Sequence, residues 1–150
     1  MQSKQTLAKK LAPLTRYDLK RKSEIVLLLE KTQKEKHILN LEELEKLTPF
    51  TTNSSIGLSK LLHFLAPSSY PIWDTWVANV FYETRPAYEF VRSAHAFLNY
   101  AETLRMWERA HKQDQIFVEI RNLNHFQLKN VSILRLLELV LWHKGKSLGR

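Results

Sequence analysis

Five prolines (Pro13, Pro49, Pro67, Pro71 and Pro86) cut this chain into lengths that suit helices, and little else in it can turn sharply. Gly57 is the only glycine in the first 140 residues, so left-handed turns and glycine-built phosphate cradles have almost no raw material. Between the breaks, apolar residues recur at helical spacing. A first helix is expected from about Thr15 to Lys36, with Tyr17, Ile25, Leu28 and Leu29 on one side and Lys20, Arg21, Lys22, Lys31 and Lys34 in solvent. Asn40 with Glu43 reads as a capping box opening LEELEKL, which stops at Thr48–Pro49. Leu58 to Leu65 is a short helix closed by Ala66–Pro67, and Asp74 caps another that runs to about Tyr82.

Pro86 suits the first position of the longest helix, about Ala87 to Lys112, whose stripe is Phe90, Ala94, Phe97, Ala101 and Leu104. From Val131 to His143 the chain is apolar over more than half a helical circumference, which describes a central buried helix that Gly145 is placed to end. Asp114 to Leu123 alternates in part like a strand but has nothing to pair with, and is read as helix. The fold class is therefore all-α: one domain over residues 1–150, of about six or seven helices, with 1–14 and 144–150 loose.

The formal charge of +8 favours an anionic partner. It is concentrated at the ends: residues 1–37 carry ten Lys/Arg against four acids, and 101–150 carry nine against five. Without cysteine there is no disulfide, thiolate nucleophile or iron–sulfur ligand. The histidines show no metal-ligand spacing, so neither metal nor cofactor is expected. The amino terminus has no secretory-type apolar core, and Arg135 and Glu138 interrupt the run from Val131 to Trp142. Those two residues are expected to form a partly buried ion pair or the wet edge of that helix, and not to be catalytic. A soluble cytoplasmic protein without a membrane role is the expectation.

Asp74 carries most of the chemical interest. Ile72, Trp73 and Trp76 give it apolar walls, which disfavour its charge, while the amides of the helix it opens favour it. Such an acid can activate water or stabilise a developing cation. Lys60 and His63, one turn apart, read either as a phosphate contact and a pocket acid or base, or as a solvated lysine and a half-buried histidine bonded to backbone. Tyr70 and Trp76 either stack on an extruded base or close the core.

The segment SYPIWDTWVANV resembles the motif around the catalytic aspartate of the helix-hairpin-helix DNA glycosylases. Its nearest likeness is the adenine-specific, monofunctional branch, which reads roughly Phe-Pro-Ile-Leu-Asp-x-x-Val-x-x-Val; Pro71, Ile72, Asp74, Val77 and Val80 match. Upstream, Ser55-Ile56-Gly57 stands in for the family's Gly-Val-Gly hairpin, and the likeness covers roughly residues 51–80. Ser59 stands where bifunctional members carry their Schiff-base lysine. The resemblance implies a DNA partner, held by Ser55, Gly57, Ser59 and Lys60, with His63, Tyr70 and Trp76 lining a base pocket. It also implies monofunctional base excision with Asp74 as the acid on a flipped-out base, and a nucleoid location. The competing expectation is a non-catalytic helical interaction protein with a protein partner, in which Asp74 only caps a helix; the chain as one piece of a larger protein is a third.

Overall fold

The computed structural model describes residues 16–115, 118–119 and 131–149, with side chains from residue 20 onward. The expected loose segment 1–14 and most of the Asp114–Leu123 helix lie outside these residues. The described part is all-α: seven α-helices and one 3-10 turn. These are α1 (Arg16–Glu35), α2 (Leu41–Leu47), the 3-10 turn Thr48–Thr51, α3 (Ser55–Leu65), α4 (Thr75–Phe81), α5 (Tyr88–Val91), α6 (Ala94–His111) and α7 (Ile133–Leu148).

Local chemistry sets most of the helix starts. Asn40 caps α2 by accepting from the Glu43 N–H at 3.0 Å, and Glu43 returns the bond to the Asn40 N–H at 2.9 Å. Ser132 caps α7 by accepting from Arg135 N–H. On α1, Ile25 is buried and Lys20, Arg21, Lys22, Lys31 and Lys34 are exposed, as the spacing requires. The core gathers around Trp73, which is fully buried and meets Phe81, Tyr82 and Tyr100 edge-on or tilted at centroid distances of 6.3, 6.2 and 4.9 Å. Leu58, Leu62, Phe97 and Leu134 are buried in the same core. No helix among the described residues is long and apolar enough to cross a membrane.

Two sequence expectations need correction. The single helix from Ala87 to Lys112 is two, α5 and α6, broken at Arg92–Ser93, which makes α1 the longest described helix at 20 residues. A continuous helix would use the Val91 and Arg92 carbonyls internally. Here Val91 O accepts from Ser55 Oγ and Trp73 Nε1, and Arg92 O accepts from Ser55 N–H. Ser93 then opens α6, its Oγ accepting from Ala96 N–H at 3.1 Å.

The second correction is at Gly145, which does not end α7. The helix continues through Leu148, so residues 144–148 of the tail expected to be loose are helical, and Gly145 is buried inside the helix. A Cβ at that position would overlap the Trp76 carbonyl. The glycine therefore serves the close approach of α4 to α7 and not a helix stop. Replacing it, Gly145→Ala, is expected to destabilise the protein by about 1–3 kcal/mol in urea unfolding, because overpacking outweighs the gain in helix propensity. An unchanged or raised midpoint would show that α4 and α7 can separate at no cost.

Candidate functional site

Asp74 lies half-buried at the start of α4 in extended backbone (φ −152°, ψ −178°), and its Oδ1 accepts from Val77 N–H at 2.9 Å. This is an N-cap, formed because the first amides of a helix have no internal partner. The two residues before it are held from elsewhere. Ile72 N–H donates to Glu138 Oε2 at 3.0 Å, and Trp73 N–H donates to Ser59 Oγ at 3.0 Å. The Ser59 hydroxyl is fully buried, and its one proton is shared between the Ile56 and Trp73 carbonyls at 2.9 and 3.2 Å. Helix α3 is thus bolted to the aspartate segment through Ser59.

The amino end of α3 follows a turn in which Thr52 and Asn53 are both left-handed, at φ 59° and 51°. These are costly positions for residues other than glycine. The Arg92 guanidinium donates to the carbonyls of both, at 2.9 and 3.2 Å, and latches the turn. Ser54, the N-cap residue, makes no side-chain capping bond, and Ser55 spends its hydroxyl on Val91 O and its amide on Arg92 O. Of the residues expected at DNA, Ser55 and Ser59 are therefore structural ties. Gly57 is half-buried with Thr51 close against it, and Lys60 is exposed.

The expected base-pocket residues separate. Tyr70 is 1% exposed; its hydroxyl accepts from Leu39 N–H at 2.8 Å and donates to His37 O at 2.9 Å, and burial raises its pKa. His63 Nδ1 lies 2.7 Å from Tyr70 O, and since a carbonyl only accepts, that nitrogen carries a proton. Trp76 is 37% exposed, with its ring close against Gly149. Tyr70 and His63 thus brace the connection leading to Asp74.

Three features of the site escaped the sequence. Arg135 and Glu138 do form the expected ion pair, but the bond from Glu138 to Ile72 N–H has no sequence signal. The Arg92 latch has none either. The third is Tyr100, fully buried against Trp73, whose hydroxyl has no hydrogen-bond partner among the described residues. No group of three or more His, Asp or Glu side chains among the described residues is placed to hold a metal ion. No family model matches the chain, and neither the curated proteins nor the solved structures give a match.

Proposed function

We propose that this is a DNA-binding helical protein that resembles the helix-hairpin-helix glycosylases and removes a base by N-glycosidic hydrolysis, with Asp74 as the acid. One observation carries the reading: Ser59 ties α3 to the backbone of Trp73, next to Asp74. A phosphate held at the start of α3 and an acid at the start of α4 then keep a fixed separation, which is what placing a nucleotide against an acid requires. The first-turn amides of α3 beyond Ser55, around Gly57, and the exposed Lys60 supply dipoles and a positive charge for that phosphate. Serine at position 59 supplies no amine for a Schiff base, so the chemistry is monofunctional. A nucleoid-associated location follows from this reading.

Duplex binding measured across a salt series tests the DNA half of the proposal. Affinity is expected to fall steeply with salt, and Lys60→Ala to reduce the log–log slope by about one with little dependence on sequence. Absence of binding at low salt overturns the proposal, and an unchanged slope in the variant removes Lys60 from the interface.

The Asp74–Val77 cap bond favours a second reading, in which Asp74 only starts a helix in a non-catalytic interaction protein. Base release separates the two, because a cap alone releases none.

A further inference from the structure

The segment Ile72–Asp74 meets a buried polar group from each of two further helices. Glu138 on α7 is 3% exposed, and its carboxylate both accepts Ile72 N–H and pairs with Arg135. Buried ion pairs add little stability by themselves. What Glu138 adds is its hold on backbone two residues before Asp74. Tyr100 on α6 lies tilted against the Trp73 ring with its hydroxyl buried and unpartnered among the described residues. Such groups are rare in folded proteins, and each calls for an explanation. Burial, then the carboxylates of Glu138 and Asp74, push the ionisation of this phenol far above its ordinary range, and Arg135 pulls weakly the other way. The phenol therefore stays a protonated donor at any working pH.

Building on the base-removal reading of Asp74, we propose that Tyr100 and Glu138 are positioning residues for that acid. Glu138 fixes its backbone, and the Tyr100 hydroxyl, buried beside the Trp73 ring, supplies the donor that orients its carboxylate. In the reaction served, the attacking water's oxygen bonds to the sugar C1′. The C1′–N bond breaks with its electron pair going to the base nitrogen, and the water proton passes to Asp74 and on to the departing base. An acid held at two points keeps one orientation through that sequence.

Two readouts test the proposal. The first is substrate-free: hydrogen exchange of the Val77 amide, which reports the Asp74 cap directly. Glu138→Ala is expected to speed it about tenfold, and Glu138→Gln, whose amide oxygen can still accept from Ile72 N–H, to restore most of the protection. The second is single-turnover base release. Tyr100→Phe keeps the ring, so it should fold at least as stably as the wild type, bind DNA within about twofold and release base about tenfold more slowly. The proposal is overturned if Tyr100→Phe releases base at the wild-type rate, or if both Glu138 variants leave Val77 exchange unchanged. A wild type that releases no base overturns the base-removal reading and this proposal together. Failure in the variants alone overturns only the proposal.

Discussion

Trp73→Ala is expected to be the most destabilising single substitution, at about 3–5 kcal/mol with a fall in Tm on the order of 10 °C. The side chain is fully buried, and removing it opens a cavity bordered by the rings of Phe81, Tyr82 and Tyr100. Those rings come from α4, its carboxyl-terminal cap and α6, so collapse into the space would have to move several elements together. The substitution also removes the indole N–H that donates to Val91 O at 2.7 Å, at the point where α5 gives way to α6. The Trp73 backbone bonds to Ser59 do not depend on the ring, so the loss should appear mainly as stability. Urea unfolding monitored by far-UV circular dichroism measures it. A loss below about 1 kcal/mol would show that Trp73 is not the centre of the core.

Asp74→Asn is expected to separate catalysis from folding. Asparagine is as good an N-cap as aspartate, and its side-chain oxygen can accept the Val77 N–H that Asp74 accepts now. Stability should therefore change by less than about 0.5 kcal/mol. On the proposed reading, DNA affinity should hold or rise slightly, since a negative charge near the phosphate site is removed. A neutral amide can neither take a proton from water nor stabilise positive charge developing on the sugar. Base release should fall by about 10²–10⁴-fold. Asp74→Ala, by contrast, loses the cap as well and should cost about 1 kcal/mol. An Asn variant as active as the wild type would reduce Asp74 to its capping role.

The parts of the fold that are readable in the sequence are those decided within a few residues. The Asn40–Glu43 box and the cap at Asp74 follow from side chains bonding amides three residues on. The break at Ser93 does not, because the carbonyls that would have continued the helix are taken by Ser55 and Trp73, 36 and 18 residues away for the bonds to Val91. Gly145 obeys the local rule for a helix end, yet its tertiary contact with Trp76 decides its role. The site divides in the same way. Asp74 stands out from its position before a helix and from its flanking residues. Glu138 stands out as a charge in an apolar run, but the amide it holds is 66 residues distant in sequence. Tyr100 gives no signal at all, because a buried phenol without a partner among the described residues becomes visible only once its neighbours are in place.

Base release by the wild-type protein tests the central claim most directly. The substrates are a panel of duplexes, each carrying one damaged, mismatched or modified base, and abasic sites are revealed by alkaline cleavage. The expected result is alkali-labile sites in at least one duplex, none of them trapped by borohydride as a protein–DNA adduct, and none above background with Asp74→Asn. Intact strands across the whole panel, from a protein shown to bind the same duplexes, would contradict the claim and leave Asp74 as the cap of α4.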